Sequence, residues 1–521
     1  MTKIENSHVE YTNDDTERRL STSSSVNSKK SEVIVSTITA TLPPTLASLS
    51  QDDIDVLEKK FVRRIDIRML PMLMLLYILN YLDRNNIATA RLGGLEKELN
   101  LHSVQYQTAV SILFVGYILM QIPSNMIVSR LGKPGLYLTT CMFIWGTISA
   151  LTSTVHSFGG LVACRFFLGF IEAVYFPGCL FLLSSWYTRK ELALRTSILY
   201  CGSLISGAFS GLLGAAIMEN MDGMRGISGW RWLFIIEGSF TVLVVPFAYI
   251  VLPDFPQTTS WLSQQEKELG IWRLQRETGT TDIDSEESAW QFVKKNMLLV
   301  LKDPKVWLVA GINFFNVAAA GVTNFFPSVV ETLNFSKTIT LVLTAPPYLI
   351  ATVLVPLNSW HADKTGERCW HIVLPFCVTI ASFIIAAATL NTGARYFAMC
   401  IMIPSIYMGF VVTLTWMSNT IPRPAAKRGV ALALMNCLSN TTSIWNSYLY
   451  PKSAAPRYAP AMAANSVFLL VAIGCAIALS MLLKRINKKL DRGEYDIVAE
   501  FGENDDDPVV VHQTQSFRYV Y

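Results

Sequence analysis

Two charged residues stand side by side near the end of the first long apolar run of the chain. The stretch YILNYLDRNNIATA, residues 77–90, carries Asp83 and Arg84 with asparagines on both sides. A charged side chain near mid-bilayer costs roughly 2.5–3.5 kcal/mol on insertion scales, so it needs a partner or a function. One interpretation is that the pair marks the end of a membrane span and reaches the interface. The other is that it acts inside the membrane, which requires a second charged group at matching depth.

A later apolar run supplies such a group. The stretch RFFLGFIEA carries Arg165 and Glu172 with almost nothing else polar between them. Their spacing of seven residues equals two helical turns, about 10 Å along one face. Glu172 follows roughly eleven residues of span, which puts it near mid-membrane and too deep to reach water. A structural ion pair with an arginine is one explanation, but an acid at this depth favours a function.

These residue types together suit the binding of an anion and a proton. Burial at low dielectric disfavours the charged form of a carboxyl group, so such a group can load and unload a proton near neutrality. Arginine stays charged, and its planar guanidinium matches the shape of a carboxylate. A protein whose cavity holds fixed cations and titratable acids is therefore predicted to transport an anion together with protons.

Polar residues in later runs predict a second wall for this cavity. Asn313, Asn316 and Asn324 have spacings of three and eight, which places them on one helical face among phenylalanines. Tyr407 and Asn440 lie in two further runs. Asparagines in spans can instead hydrogen-bond between helices. As candidates for substrate binding we take Asn313, Tyr407 and Asn440.

The elements that must position these residues are membrane-spanning helices. The 521-residue chain is 51% hydrophobic and only 16% charged, whereas soluble proteins carry about a quarter charged residues. Crossing about 30 Å of hydrocarbon takes about 20 apolar residues. Twelve runs qualify, which we number spans 1–12: about 69–88, 105–128, 136–155, 161–183, 196–218, 232–252, 306–330, 338–360, 371–390, 396–419, 429–450 and 462–484. The sequence predicts an all-α polytopic membrane protein with 12 transmembrane helices in two six-helix bundles, residues 66–252 and 306–486.

The segments outside the bundles are polar. Residues 1–65 are predicted to be a disordered cytosolic tail that ends in a short juxtamembrane helix, and residues 253–305 and 487–521 a cytosolic linker and tail. Loops 2–3, 4–5, 8–9 and 10–11 are rich in Lys and Arg, while the opposite loops are poorer. The positive-inside rule therefore places both termini in the cytosol.

The two halves also repeat a short basic turn. Loop 8–9 reads SWHADKTGERCWH, and loop 2–3, at the matching place in the first half, reads NMIVSRLGKPG. Both turns are tight, basic and contain glycine. Such internal repetition is expected of a duplicated six-helix bundle.

With these features the chain resembles the major facilitator superfamily. Loop 8–9 is similar to that family's signature Gly-xxx-Asp-Arg/Lys-x-Gly-Arg-Arg, while the first-half copy departs from it at Ser129 and Pro134. This signature implies conformational gating by Asp363 and Arg368. Within the superfamily the chain looks like the anion:cation symporter family, in its fungal allantoate permease branch. The similar stretches are YLDRNNIATARLGGLEKELNL, CRFFLGFIEAVYFPGCLFLLSSWYTRKELALR, GWRWLFIIEG and APRY.

The resemblance implies uptake of a small organic anion, usually with protons. Carried over to the matching positions, it gives Asp83 and Glu172 the role of proton coupling. It gives Arg84 and Arg165 the role of binding the substrate carboxylate. Substrates implied by the family are carboxylates such as allantoate, nicotinate or a related vitamin or nitrogen source.

The predicted function is thus secondary active import of a small carboxylate by proton symport with alternating access. The alternative is a nutrient sensor that keeps the fold but does not transport. We expect a monomer in the plasma membrane, or in another endomembrane, with the lipid bilayer, the anion and protons as its partners.

Other function classes find no support in the sequence. The nine cysteines and six histidines are scattered, without a CxxC or HExxH motif, so no metal and no cofactor is expected. No nucleophile–base set indicates an enzyme. The net charge of +4 is too small to indicate nucleic-acid binding.

Overall fold

The computed structural model describes residues 42–278, 297–421, 425–494 and 518–521. Every regular element in these ranges is helical, which confirms the all-α prediction. Ten helices in the same ranges are long and apolar enough to cross a membrane. Two more long helices, Ser103–Arg130 and Ala425–Asn446, lie where the sequence predicts spans 2 and 11.

Span 1 is the second part of a 42-residue helix, Gln51–Leu92. Ser50 caps this helix by accepting a hydrogen bond from the amide of Asp53. The predicted juxtamembrane helix and span 1 are therefore continuous, and the helix extends past the predicted end of the span. The other elements of the first half are Leu95–Glu98, Ser103–Arg130 (span 2), Pro134–Thr152 (span 3), Phe158–Glu172 and Tyr175–Ser184 (span 4), Arg189–Met221 (span 5) and Gly229–Val251 (span 6).

The second half contains two interrupted spans. In span 7 a 3₁₀ segment, Gly321–Phe325, separates two α-helices, and the Asn446 side chain lies where a Cβ on Gly321 would stand. A 3₁₀ stretch within a helix often marks a hinge. The helices are Pro304–Ala320 and Phe326–Glu331 (span 7), Lys337–Val342 and Ala345–Thr365 (span 8), Trp370–Ala388 (span 9), Thr392–Thr420 (span 10), Ala425–Asn446 (span 11) and Ala459–Asp491 (span 12).

The halves meet through spans 5 and 8 and through spans 2 and 11. We call the side that carries the helix Gln264–Thr278 the linker side, and the opposite side, with loops 1–2, 5–6, 7–8 and 11–12, the far side. Polar contacts join the halves on the far side. They pair Arg91 with Ser328 (Nη1 to Oγ, 3.2 Å), Thr108 with Tyr448 (Oγ1 to OH, 3.0 Å), Thr338 with Glu219, and Lys452 with Glu96.

Spans 5 and 8 approach each other closely at two glycines of span 5. A Cβ on Gly211 would lie 2.1 Å from Thr344 Oγ1 and 2.5 Å from the Leu341 carbonyl oxygen. One turn earlier, Gly207 faces the ring of Tyr348. Together with the polar contacts between the halves, this packing closes the far side of the molecule.

On the linker side, the segment between the halves packs on the first half. Its helix Gln264–Thr278 places Arg273, whose side chain is 1% exposed, between Glu58 (2.7 Å) and Glu191 (2.6 Å). Trp261 stacks on Trp186 with ring centroids 6.2 Å apart. The sequence predicts a polar linker but does not indicate this attachment.

The last four residues pack on the second half. The Trp416 indole donates to the Val520 carbonyl oxygen (3.0 Å), and Asn487 makes two hydrogen bonds of 2.9 Å with the backbone of buried Tyr519. The helix of span 12 continues to Asp491, beyond the predicted start of the C-terminal tail at 487. The N-terminal residues 1–41 and residues 495–517 lie outside the described residues.

Candidate functional site

Asp83 lies within span 1 rather than at its end. The helix continues to Leu92, and Asp83 is 0% exposed. Ser149 of span 3 donates to Asp83 Oδ1 (2.6 Å), and Thr241 of span 6 donates to Oδ2 (3.1 Å). The interpretation of Asp83–Arg84 as the exit of a span is therefore not supported. Asp83 is held inside the first half by hydroxyl donors from two neighbouring helices.

The adjacent Arg84 points to span 4. Its Nε donates to Glu172 Oε2 at 3.0 Å, and the side chain of Glu172 is fully buried. The guanidinium also lies over the ring of Tyr117, 4.9 Å from the centroid. Spans 1 and 4 are thus joined by an ion pair in the middle of the first half. Glu172 is the second charged group, at the depth of Asp83 and Arg84, that a function inside the membrane requires.

Arg165 lies beside this pair but is only partly satisfied. Its Nη2 donates to the backbone oxygen of Arg84 (3.1 Å). Within the described residues, its Nε and Nη1 have no hydrogen-bond partner, although the residue is 2% exposed. A buried cation with open donors is costly unless an anion or water fills them. The sequence spacing alone paired Glu172 with Arg165, whereas the structure gives the direct contact to Arg84.

A narrow cavity lies between the halves at this level. Its first wall includes both arginines, Arg84 and Arg165, and Ser210 of span 5. Its second wall comes from spans 7 and 8, with Asn324 in the 3₁₀ segment and Tyr348. The two arginines that the sequence selects for a substrate carboxylate therefore face one cavity.

The candidates in the second half have different surroundings. Asn313 is buried and donates to Ser439 of span 11 (2.7 Å), the interhelical bond that the sequence left as an alternative. Asn440 donates to the backbone oxygen of Asn436 within its own helix (2.9 Å). The 3₁₀ segment of span 7 breaks the predicted single face, so Asn324 reaches the cavity while Asn313 does not line it.

Tyr407 lies where the halves meet. It packs on a small buried cluster formed by Leu204 of span 5 with Ala351 and Val355 of span 8. Tyr407 is half-buried, with its ring next to residues of both halves.

The turn between spans 8 and 9 has the geometry that its sequence suggests. Arg368 Nη2 donates to Asp363 Oδ1 at 2.5 Å, and Gly366 between them has a φ of 66°, which favours glycine. The amide of Arg368 also donates to the Tyr521 carbonyl oxygen (3.2 Å). The pair lies on the linker side, outside the cavity.

Sequence reasoning missed one acid in the first half. Glu237 of span 6 is 4% exposed, and neither carboxylate oxygen has a hydrogen-bond partner in the described part of the chain. It stands in the stretch GWRWLFIIEG, eight residues after the glycine at which span 6 begins. The rule that singled out Glu172, an acid inside an apolar run, would also have found Glu237.

Comparison with known proteins decides the family. The model of the Major Facilitator Superfamily matches residues 73–445. The chain belongs to the major facilitator superfamily. The MFS-type transporter efuF of Hormonema carpetanum is 32% identical over 436 residues, 82% of this chain and 86% of the relative.

Solved structures of this superfamily have the same fold. A bacterial homologue of the human lysosomal transporter Spinster, in an inward-facing and occupied conformation, matches with a TM-score of 0.62, covering 79% of this chain and 96% of the other at 16% identity. A D-xylose-proton symporter also matches with a TM-score of 0.62, at 15% identity and 79% and 97% coverage. The major facilitator fold is confirmed, and the chain is a multi-pass membrane transporter rather than an enzyme.

Proposed function

We propose that the protein imports a small organic anion by proton symport with alternating access. The observation that carries this proposal is the pair of arginines, Arg84 and Arg165, on one wall of the cavity between the halves. Arg165 keeps two open donors there among the described residues. A carboxylate can accept from both, since a guanidinium presents its donors in a planar fork.

The charges around the cavity favour a monoanion. Arg84 and Arg165 contribute two positive charges, and Glu172 contributes one negative charge when ionised. A carboxylate substrate would lower the net charge of this group from +1 to zero while Glu172 is ionised, or from +2 to +1 once Glu172 is protonated, and in both states this lowers the cost of burying the group. Allantoate, nicotinate and related vitamins or nitrogen sources are the substrates that we propose to test first.

Glu172 offers a direct link between protons and substrate. While Glu172 is ionised, its carboxylate accepts the hydrogen bond of Arg84 Nε, which is then not available to a substrate. Protonation removes the negative charge and frees Arg84 for the substrate carboxylate. Asp83, on the other face of the same helix turn, is the second proposed coupling acid. Binding of a proton would thus precede or accompany binding of the anion.

The loop charges support an assignment of the two sides of the membrane. We propose that the linker side is cytosolic and that the protein is a monomer in the plasma membrane. The far side is closed by contacts between the halves. Alternating access then requires these contacts to open, and Asp363 and Arg368 on the linker side are the proposed gating pair.

Uptake measurements test this proposal. Purified protein in liposomes is given a panel of radiolabelled carboxylates, with and without an inward proton gradient and with a protonophore. Accumulation of one carboxylate that needs the gradient supports proton symport. Binding without transport under every condition would instead support the sensor alternative, and uptake that ignores pH would exclude proton coupling.

A further inference from the structure

The first half contains a second set of buried polar groups that the anion cavity does not use. Both oxygens of Glu237 lack a hydrogen-bond partner, and so do both polar atoms of the Asn86 amide, among the described residues. Glu237 is 4% exposed and Asn86 is 0% exposed. Unsatisfied polar atoms at this depth require a ligand or a proton, because burying them costs several kcal/mol.

These side chains lie around Asp83. The Asp83 carboxylate and the Asn86 amide are close enough to Glu237 to act on it electrostatically. Asp83 itself is bound by Ser149 and Thr241. We call Asp83, Asn86 and Glu237, on spans 1 and 6, the span 1–6 cluster.

The span 1–6 cluster is sealed by close helix packing. A Cβ on Gly238, the residue after Glu237, would lie 2.4 Å from the Ala150 amide of span 3. A Cβ on Gly146 would lie 2.8 Å from the Thr241 side chain. Spans 3 and 6 therefore leave no room for an organic molecule, and the cluster residues are absent from the lining of the anion cavity. A ligand of this site must be as small as a proton or a bare cation.

The charged groups near Glu237 do not neutralise a negative charge on its carboxylate. Spans 1, 3 and 5 pack on span 6. Span 1 presents Asp83; span 3 has no Asp, Glu, Lys, Arg or His, and its titratable groups are Tyr137 and Cys141. Span 5 carries its charged residues only near its two ends, besides Tyr200 and Cys201 nearer its middle. The neighbour that acts most directly on Glu237 thus has the same sign of charge.

The two acids of the cluster differ in their hydrogen bonds. Asp83 accepts from two hydroxyl groups, an arrangement that stabilises an ionised carboxylate. Within the described ranges, neither oxygen of Glu237 accepts a hydrogen bond of good geometry, and its neighbouring donor is the amide of Asn86. Two carboxylates in one dry site cannot both ionise without a large cost, so one of them takes the proton.

We propose that the span 1–6 cluster is a proton-binding site separate from the anion cavity, with Glu237 as the residue that carries the proton. In this step a carboxylate oxygen of Glu237 binds one proton and becomes a hydroxyl donor, and the Asn86 amide oxygen is free to accept from it. No other bond forms or breaks. The inference deepens the proposed function and rests on it for the direction of transport, but the site itself can be tested without a substrate.

The cluster is connected to the anion site through span 1. Asp83 and Arg84 are consecutive residues, one facing the cluster and the other facing Glu172 and the cavity. A proton that changes the charge next to Asp83 therefore acts on the same helix turn that positions Arg84. This arrangement provides a physical route from proton binding to the affinity for the anion.

Infrared spectroscopy of the purified protein in lipid tests the site without a substrate. Spectra are recorded between about pH 5 and about pH 8, the range in which a proton-coupled carrier must load and unload. Because Glu172 is itself proposed to bind a proton, all variants are made in a Glu172→Gln background, which is expected to show a carboxylic acid C=O band that changes over this range. Glu237→Gln should abolish that band, whereas Asp83→Asn should retain it. Glu331→Gln, which removes an exposed glutamate on the far side, is the matched control and should leave the band unchanged.

Two results would overturn the inference. One is a band of the Glu172→Gln background that survives when Glu237→Gln is added. The other is a spectrum that responds to replacing choline with Na⁺ at constant pH, which would make the occupant a metal cation. Should Glu237→Gln fail to fold, Glu237→Asp retains an acid and should retain a band at a shifted frequency. Uptake that ignores pH in the wild type refutes the proposed symport, whereas the infrared result decides the protonation of Glu237 independently of uptake.

Discussion

At the scale of single residues, the central feature is the set of hydrogen bonds among Arg84, Arg165 and Glu172. Glu172 pairs with Arg84 at 3.0 Å, and Arg165 is held by one backbone oxygen. The remaining donors of Arg165 have no partner among the described residues. An ion pair that served only stability would leave no such donors open, because unsatisfied buried groups are costly. The open donors of Arg165 therefore support the proposed anion site.

Replacing either arginine by alanine is expected to abolish most uptake while the protein still reaches the membrane. Loss of a charge-assisted hydrogen bond costs about 1.5–3 kcal/mol, which corresponds to about 10–100-fold in affinity. Lysine should rescue only partly, since it lacks the planar fork. Uptake and surface expression are measured for Arg84→Ala and Arg165→Ala, with exposed Arg492→Ala as the control. Normal uptake by either cavity variant would place the anion site elsewhere.

Glu172→Gln imitates the protonated acid permanently. It leaves Arg84 without its anionic partner, so substrate should still bind and exchange, but accumulation against a gradient should be lost. The measurement compares counterflow with net uptake at about pH 5 and about pH 7.5, where the wild type is expected to be faster at the lower pH. If the variant still concentrates substrate in a pH-dependent way, Glu172 is not a coupling acid.

Outside the membrane, Glu98 connects loop 1–2 to the start of span 6. It accepts hydrogen bonds from Ser228 (2.5 Å), Trp230 (2.6 Å) and Arg231 (2.8 Å). Partial burial opposes ionisation, but these three donors outweigh it and hold the pKa of Glu98 below its ordinary value of 4.5. A lowered pKa contributes stability that is present above pH 4.5 and is lost as the pH falls through the folded-state value.

Glu98→Gln should therefore lower the unfolding temperature at neutral pH by about 2–4 °C, and the difference from the wild type should shrink on acidification below pH 4.5. Thermal unfolding in detergent across this pH range checks both points. Glu331→Gln serves as the control. A difference that is constant with pH would show that the effect comes from packing and not from the charge.

At the scale of elements, the contact of spans 5 and 8 decides whether the far side is open. The helices touch at Gly207 and Gly211, where span 5 contributes no side chain and the side chains of Tyr348 and Thr344 pack directly on its backbone. Small residues allow such close approach in membranes, where packing rather than the hydrophobic effect joins helices. The far-side contact is therefore sensitive to a single added methyl group.

Gly211→Ala is expected to shift the transporter toward a conformation that is open on the far side. The new Cβ would stand 2.1 Å from Thr344 Oγ1, a distance that forces the helices apart. Spin labels on Asn220→Cys and Lys337→Cys, both exposed on the far side, report the separation of the halves. Gly474→Ala, at a glycine of span 12 with nothing within 4 Å of a Cβ, is the control. An unchanged distance distribution in Gly211→Ala would contradict the proposed closure.

At the scale of the whole molecule, each half is contacted on the linker side by a segment outside its six spans. The helix Gln264–Thr278 is attached to the first half through Arg273, and Tyr519 is buried against the second half. The loop charges predict that this side is cytosolic.

Cysteine labelling tests the predicted orientation. In a variant without the nine native cysteines, Asn220→Cys on the far side should react with an impermeant maleimide in intact cells. Arg492→Cys, exposed just after span 12, should react only after the membrane is opened. The reverse pattern would invert the topology and make the closed side cytosolic.

Much of this architecture could be predicted because it depends on local chemistry. Apolar runs of span length must form helices in a bilayer, since every backbone polar group has to be satisfied within the segment. Charged residues inside such runs are rare and costly, so Asp83, Arg84, Arg165 and Glu172 were recognisable from their types and spacing alone. The charge bias of the loops and the repeated basic turn are likewise features of the sequence itself.

Only the tertiary structure decided which of these groups meet. Helical spacing suggested that Glu172 pairs with Arg165, yet helix packing brings Arg84 to it and leaves Arg165 with open donors. The 3₁₀ segment of span 7 separates Asn313 from Asn324, which a regular helix would have kept on one face. The role proposed for Glu237 depends on its closeness to Asp83, a residue 154 positions earlier (237 − 83) on another helix. The period of a helix determines which residues share a face, but the partner of that face is set by packing between distant segments, which no local pattern encodes.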